Sequence, residues 1–580
     1  MPISEIVNRF FEILNQIYIE YFERMSKMWK GVEMPLVKGN LVSFLFKDSH
    51  KWNHLHALEC GYTRQSLTYG ELQQAVGRWG AWLTSFMGES NPSAASPSCH
   101  QSFVVGKFSP SCVDVAVVQL GTMAVGAVYT SLNISFGPRE LSAQIEETGA
   151  ALLITTPKFF LRLQEALDKL GRKIPVVLIG SGELGDVGNG LNVVGTYKDI
   201  INDQTTKPVE PVELMGDDVA LLVYTSGTTG MPKSVQHSHN SIIAGVQASM
   251  HPHFWPHPPT TNESNQTRSL LMRDFGFAYG LCSAFMPGLA TGMCHIIKTL
   301  DDYTFLSDVE EFRINTIAIV VLNFPTVLRL GSERQDLLQH FRHVLVGGGA
   351  IPQAHVTAAA STMPGVFVQK CYGTSEMFVI AQDPLGGGKP GFTGSVFPNV
   401  ELKLKDLNST ELLPANQIGI LFIKSPSKMQ GYRNNLTETN NVIDEEGWYN
   451  SGDVALMDED GYVQVVDRFR EIIKMADGRN AAPAELENTI LEMEEVKEVC
   501  VIGTLDASTG FDSIYVFIVN KTDVSPPISE EDVVNYVVRS LNELKRPRKV
   551  VFMDALPRND NEKVDRKLLR LKAKEMQNEK

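Results

Sequence analysis

The feature that most constrains this chain is a repeated alternation of two patterns. Short apolar runs at residues 151–155, 176–180, 219–224, 318–321 and 344–346 have the length and composition of buried strands. Between them, stretches such as 139–147 and 160–170 carry apolar residues at helical spacing. Frequent Pro and Gly punctuate the two. Strand–helix alternation of this kind predicts α/β architecture. The 580 residues are too many for one core, and at roughly 100–200 residues per domain they predict about three folded units.

The C-terminal part changes character near Arg468. A charged stretch at 468–474 leads to a turn at Asp477-Gly478, and a helix is expected from about Ala484. Strands follow at 499–503 and 514–519, then a helix over 530–544. This reads as a small α+β domain over 468–580, beside a large N-terminal domain of α/β subdomains over 1–467. The first sixty residues are expected to be a helical extension. Phe10, Phe11, Ile13, Leu14, Ile17 and Tyr18 are interleaved with Glu5, Glu12 and Glu20. That is the spacing of an amphipathic helix, expected to pack on the body, with peripheral membrane contact as the alternative.

Composition excludes several classes. Charged residues make up 21% of the chain and hydrophobic ones 43%, which rules out a disordered or fibrous protein. The apolar stretches 113–132 and 314–330 are interrupted by Gln119, Gly121 and Pro325, so neither reads as a membrane span. A net charge of −15 disfavours nucleic acid as a partner. Seven scattered cysteines without a CxxC pair fit a reducing compartment. The acids of the N-terminal stretch and the lack of a small-residue cleavage site argue against a signal or transit peptide, and Gln577-Asn578-Glu579-Lys580 does not have the pattern of a peroxisomal address. A cytoplasmic location is expected. Residues 88–98 read as a low-complexity surface loop, and His251, His253 and His257 as part of an extended loop rather than a metal site.

The chemistry is concentrated after the run 219–223. Tyr224 leads into Thr225, Ser226, Gly227, Thr228, Thr229, Gly230, Met231, Pro232 and Lys233. Two glycines let backbone N–H groups converge on an anion, four hydroxyls add donors, and Lys233 adds a charge. The set suits a polyphosphate. It is not a Walker A loop, whose Gly-Lys pair and spacing differ.

This loop closely resembles the signature loop of the adenylate-forming superfamily: acyl- and aryl-CoA synthetases, beetle luciferases and the adenylation domains of peptide synthetases. Further segments resemble the family in its own order between about residues 60 and 570. They are Thr68–Leu72, the segment from Gly126 to Glu140, Gly347-Gly348-Gly349-Ala350-Ile351-Pro352, Tyr372-Gly373-Thr374-Ser375-Glu376, Lys389-Pro390-Gly391, the Gly447–Asp453 segment, Asp467–Lys474, Pro483–Glu487 and Pro557–Lys563.

The resemblance implies activation of a carboxylic acid by ATP to an acyl-adenylate, with Mg²⁺ as cofactor, followed by transfer to coenzyme A. It implies that the Thr225–Lys233 loop holds the β- and γ-phosphates. Gly348, Gly349, Ala350, Tyr372 and Gly373 would lie at the adenine. Asp453 would hold the ribose, with Arg468 assisting there or at the α-phosphate. Thr374, Glu376 and Lys563 would be catalytic, and Glu376 and Thr225 the Mg²⁺ ligands. Arg470 would be the hinge about which the small domain turns, and Gly478 would lie on the CoA side. Phe277, Tyr279 and Gly347 would line the acyl pocket. Ala278 stands where amino-acid-activating relatives carry an Asp, so an apolar fatty or aryl acid is expected. The chain departs from the pattern at Glu562, where the family has glycine before the catalytic lysine, and in a spacing one residue longer between Lys474 and Gly478. Luciferase-like oxidation, service to a carrier protein and an inactive nucleotide-binding scaffold are the competing readings.

Overall fold

The computed structural model describes residues 27–90, 102–180, 190–225, 233–272, 276–298, 304–336, 340–349, 351, 353–475, 480–506, 511–521, 528–541, 543–559 and 563–578. The helix expected around residues 10–18 therefore lies outside the described residues, as does most of the 88–98 loop.

Among the described residues one sheet has eight strands, in the order Gly431–Tyr432, Ser234–Ser238, Val219–Tyr224, Val128–Ser131, Val104–Phe108, Ala150–Thr155, Pro175–Leu178, Asn192–Thr196. It is parallel from Val219–Tyr224 outward and turns antiparallel at Ser234–Ser238. Helices Val113–Ala124, Pro138–Thr148 and Phe160–Leu170 make the crossovers. Local signals set their ends. Pro138 opens its helix, where a missing N–H costs nothing, and Gly149 closes it at φ 62°, a conformation that glycine adopts without strain. Every residue of Val113–Ala124 is buried, because this helix is covered by Tyr69–Ser90 on its far side.

The second sheet is larger and changes type at one strand. Phe367–Thr374, His343–Gly347, Thr316–Val320, Arg268–Leu271, Cys294–Ile297 and His56–Cys60 run parallel. From Phe367–Thr374 in the other direction the sheet continues antiparallel through Phe378–Gln382, Gly394–Val396, Tyr462–Arg468, Tyr449–Met457, Ile418–Lys424 and Glu401–Lys405. Its edge is Met28–Lys30, with Trp29 opposite Leu402. The described part of residues 1–60 is thus not a helical extension. It contributes two strands to the large sheet and one short helix, Leu41–Phe46, to its core.

After Arg468 the chain forms a separate small α+β unit. Val496–Asp506 and Phe511–Asn520 pair antiparallel, and Lys549–Phe552 adds in parallel. Helices Pro483–Ile490, Glu530–Ser540 and Arg566–Asn578 cover the three strands, with cores of their own. The helix expected to reach residue 544 stops at Ser540, and Glu543–Lys545 is a 3₁₀ turn. No helix among the described residues is long and apolar enough to cross a membrane.

Candidate active site

The strand Phe367–Thr374 is where the large sheet switches from parallel to antiparallel, and its C-terminal end carries Tyr372, Gly373 and Thr374. In open α/β sheets, the crevice beyond the carboxyl ends of the strands at such a switch is where ligands bind. The turn that follows is tightly held. A Cβ on Gly373 would lie 2.0 Å from the carbonyl oxygen of Phe378, so only glycine fits there. Phe378 adopts φ 57°, a left-handed conformation unusual for a bulky side chain. Within the turn sits Glu376, 8% exposed, whose Oε1 accepts from the Tyr432 hydroxyl at 2.9 Å. Met429 N donates to the Glu376 carbonyl at 2.8 Å. His237 Nε2 donates to the Ser375 carbonyl at 2.7 Å, with its ring stacked on Phe378. Burial holds the pKa of His237 down to about 4, so the ring is neutral. Thr374 Oγ1 is buried with no hydrogen-bond partner among the described residues.

Asp453 and Arg468 face each other in register on adjacent strands. Arg468 Nε lies 2.8 Å from Asp453 Oδ1, and the Tyr372 hydroxyl donates to Asp453 Oδ2. Asp453 is 3% exposed. Burial raises its pKa above the ordinary carboxylate value, and the charge of Arg468 and the Tyr372 hydrogen bond offset part of that rise. Tyr372, Asp453 and Arg468 thus form one connected group, drawn from three strands.

The phosphate-type loop joins Val219–Tyr224 to Ser234–Ser238 as the end of an antiparallel pair, with Thr225 N donating to Lys233 O at 3.0 Å. Its central residues Ser226, Gly227, Thr228, Thr229 and Gly230 lie outside the described residues. Lys233 is ion-paired with Glu438, and its ammonium stands 5.0 Å from the centre of the Tyr432 ring. Tyr432 is therefore shared between the foot of this loop and Glu376. It reaches both because Gly431–Tyr432 pairs with the strand that leaves the loop, Val235 opposite Tyr432. Sequence reasoning missed Tyr432 and His237, which belong to no segment that carries the resemblance.

Gly347 ends the strand His343–Gly347. A Cβ there would meet Cys371 Sγ at 2.7 Å and the Tyr279 ring at 2.9 Å. The Tyr279 hydroxyl donates to the Leu345 carbonyl at 2.9 Å. Gly348 takes φ 80°, and a Cβ on Gly349 would press on Val321 at 2.8 Å. Ala350 lies outside the described residues. Phe277 is 38% exposed rather than part of the core.

The remaining candidates belong to the small unit. Arg470 is exposed in the segment that leaves the large sheet. Beside it Glu471 pairs with Arg570, and Ala484 N donates to Asp467 at 3.0 Å, so both sides of Arg470 are anchored on the small unit. Gly478 and Glu562 lie outside the described residues. Lys563 is exposed on a turn where Asn559 N donates to Lys563 O at 2.8 Å and Lys563 N donates to Asn559 Oδ1 at 3.1 Å. It stands on a different element from the Tyr372–Asp453–Arg468 and Glu376–Tyr432 groups.

Residues 46–433 match the AMP-binding enzyme family, and residues 485–563 match the AMP-binding enzyme C-terminal domain. The chain belongs to this adenylate-forming family. It is 31% identical over 535 residues to 4-coumarate--CoA ligase-like 4 of Oryza sativa subsp. japonica, covering 91% of this chain and 92% of that protein. It is 30% identical over 516 residues to peroxisomal OPC-8:0-CoA ligase 1 of Arabidopsis thaliana, covering 87% and 88%. Among solved structures, ATP-bound MatB from Rhodopseudomonas palustris superposes with a TM-score of 0.79 at 23% identity, covering 93% of this chain and 99% of that one. A benzoate CoA ligase from Burkholderia xenovorans LB400 gives 0.76 at 22%, covering 92% and 99%. At these identities the structural matches establish the fold, a large N-terminal domain with a small C-terminal one.

Proposed function

We propose that the chain is an acid–CoA ligase that activates a fatty or aryl carboxylic acid with ATP and transfers the acyl group to coenzyme A. The observation that carries this is the joining of Tyr372, Asp453 and Arg468 into one hydrogen-bonded group beside the turn that holds Glu376. The names of the relatives, several of them CoA ligases, support the same reading.

On this reading the body is 1–467, the lid is 468–580, and Arg470 is the pivot between them. Asp453 accepts from the ribose hydroxyls, Arg468 offsets charge toward the α-phosphate, and Tyr372 with Gly348, Gly349 and Ala350 flanks the adenine. Residues 225–233 cradle the outer phosphates. The donor set suits Mg²⁺, which prefers oxygen ligands and few carboxylates. Glu376 and Thr225 would hold it, and Thr374, two residues before Glu376, carries a buried hydroxyl with no hydrogen-bond partner among the described residues. When bound, the ion screens phosphate charge. In the first step a carboxylate oxygen of the acid bonds to the α-phosphorus, and the bond to pyrophosphate breaks. Lys563 would place an ammonium on the charge that develops there. In the second step the CoA thiol loses its proton to water, its sulfur bonds to the acyl carbon, and the acyl–oxygen bond breaks so that AMP leaves with the bonding pair. The partners are small molecules, and a cytoplasmic location fits the sequence.

The test is a panel of carboxylic acids assayed for acid-dependent ATP–pyrophosphate exchange, with and without CoA. Exchange with at least one acid, and thioester formation when CoA is added, is the expected result. No exchange with any acid would refute the enzyme reading. Exchange without thioester would move the acceptor to a carrier protein.

A further inference from the structure

The small unit carries a half-open cleft of about 210 Å³ beside the segment that leaves the large sheet. Its floor is Gly503, Thr504 and Leu505, near the end of the strand Val496–Asp506, with Asp512 opposite Leu505 on the neighbouring strand. Arg470 and Glu471 stand on one side. Arg570 and Lys574, one turn apart on the helix Arg566–Asn578, stand on the other. The Glu471–Arg570 ion pair ties the two sides together. A Cβ on Gly503 would lie 2.9 Å from Ile473 Cγ1, so glycine there lets the departing segment lie close to the strand.

Thr504 is the unusual member. Cys500, Ile502 and Thr504 alternate onto one face of the strand, and the first two pack with Leu569 and Ala573 of the helix. Thr504 continues that face past the apolar cluster. It is 1% exposed, and its Oγ1 has no hydrogen-bond partner among the described residues. A buried hydroxyl without a partner is costly unless something outside the chain takes up its bond.

Charge indicates what that is. Three cations, Arg470, Arg570 and Lys574, meet two carboxylates in the cleft, and Glu471 is already engaged by Arg570. Lys574 is exposed and makes no ion pair or hydrogen bond with any described residue. Its helix carries Arg566, Lys567, Arg570, Lys572 and Lys574 against a single acid, Glu575, in a chain whose net charge is −15. Local basic character of this kind attracts anions against the field of the whole chain. A guanidinium, an ammonium and a hydroxyl approaching from different sides suit a tetrahedral oxyanion, whose oxygens point in several directions, better than a planar carboxylate. The space admits several waters, and so a phosphate group with a small substituent.

We propose that this cleft binds a phosphate group, free or as a small phosphate monoester, with the Thr504 hydroxyl donating to one oxygen and Arg570 and Lys574 holding the others. Asp512 opposes the anion and keeps the affinity modest. The site is independent of the ligase reading, because none of these residues belongs to the Tyr372–Asp453–Arg468 or Glu376–Tyr432 groups.

Calorimetric titration of the full-length protein with inorganic phosphate, and separately with glycerol 3-phosphate, tests this. Both are run at constant ionic strength with saturating ATP and Mg²⁺, so that residues 225–233 are not what is titrated. The wild type should show one site. Lys574→Gln should weaken it about threefold to tenfold, a charge-assisted bond discounted for exposure. Thr504→Val keeps the shape of the side chain and should weaken it by a similar factor. Its melting temperature should not fall, since no hydrogen bond within the protein is lost. Hydrogen exchange should slow over 470–472 and 503–505 when phosphate is present. Tighter binding of glycerol 3-phosphate would assign the site to an ester, and equal or weaker binding to the free ion. No binding of either, binding that both variants leave unchanged, or binding abolished by saturating CoA would overturn the site. Lys574→Gln decides the matter if the valine variant does not fold.

Discussion

Replacing Glu376 with glutamine removes a charge while keeping a shape, which makes it the sharpest test of the proposed metal and phosphate site. Glu376 is 8% exposed and accepts one hydrogen bond from Tyr432 through Oε1. The glutamine carbonyl accepts the same bond, so the cost in folding stability should be within about 1 kcal/mol. The loss of charge is another matter. Two unit charges 4 Å apart at an effective dielectric near 20 interact by about 4 kcal/mol, and a divalent cation would double that. Access of water to the crevice takes some of it back. A loss of about 4 kcal/mol corresponds to roughly a thousandfold in rate. Acid-dependent pyrophosphate exchange should therefore fall by about a hundredfold to a thousandfold, and more Mg²⁺ should be needed to reach half-maximal rate. The melting temperature should stay close to that of the wild type. Exchange within threefold of wild type at the same Mg²⁺ dependence would refute the assignment of Glu376 to the ion.

Three further outcomes are expected. Tyr372→Phe and Asp453→Asn should each weaken ATP binding by about tenfold, and the double variant should lose less than the product because both act through one hydrogen bond; full additivity in a calorimetric cycle would show that they work separately. Lys563→Ala should lose most adenylation yet retain thioester formation from preformed acyl-adenylate, and equal loss of both steps would contradict a lid with two working faces. Stability should be flat above pH 6.5 and fall between about 6.5 and 4. His237, His239 and His343 are each held to about 4 by burial, and His295 to about 3, so the unfolded chain takes up their protons first. Asp383, raised to about 6 by burial, opposes these four by one proton and leaves a slope of up to about 4 kcal/mol per pH unit. A melting temperature unchanged between pH 7 and 5 would be inconsistent with this.

Elements with strong local punctuation are legible in the amino-acid sequence alone. The run 219–224 is the strand Val219–Tyr224, and the helix Phe160–Leu170 ends where its spacing predicts, at Gly171 with φ 67°. Both depend on residues within a few positions of one another. What cannot be read this way depends on distant pairing. Met28–Lys30 is a strand only because Glu401–Lys405 lies beside it, some 370 residues away in sequence, and nothing local marks it. Tyr432 reaches Glu376 through a two-residue strand too short to show a period. The family's motifs point to Tyr372, Asp453 and Arg468 as separate residues, whereas their mutual hydrogen bonding follows from strand register. The change from parallel to antiparallel at Phe367–Thr374 leaves no mark in composition, since the strands on either side are equally apolar.

The net charge of −15 poses a problem for a chain expected to bind two anions, and the ion pair at the loop offers an answer. Lys233 is held by Glu438, which sits on the short helix Leu436–Val442 and is about a third exposed. An exposed pair of this kind contributes at most about 1 kcal/mol, because water and salt screen it. A phosphate carrying more than one charge is a stronger partner for the same ammonium. If Lys233 holds the phosphates as proposed, Glu438 would act as a stand-in that keeps Lys233 in place until nucleotide arrives, at little cost to be displaced. Glu438→Gln removes the competitor but leaves the helix start intact, since Glu438 N is satisfied by Asn435 Oδ1 at 3.1 Å. ATP should bind the variant up to about fivefold more tightly, the fold-change equivalent of the lost competition. The gain should shrink as salt rises, because the competing pair is itself screened. Calorimetric titration with ATP at two salt concentrations measures both. If ATP binds the variant no more tightly than the wild type at low salt, Glu438 is not a stand-in, and Lys233 has no part in holding the phosphates.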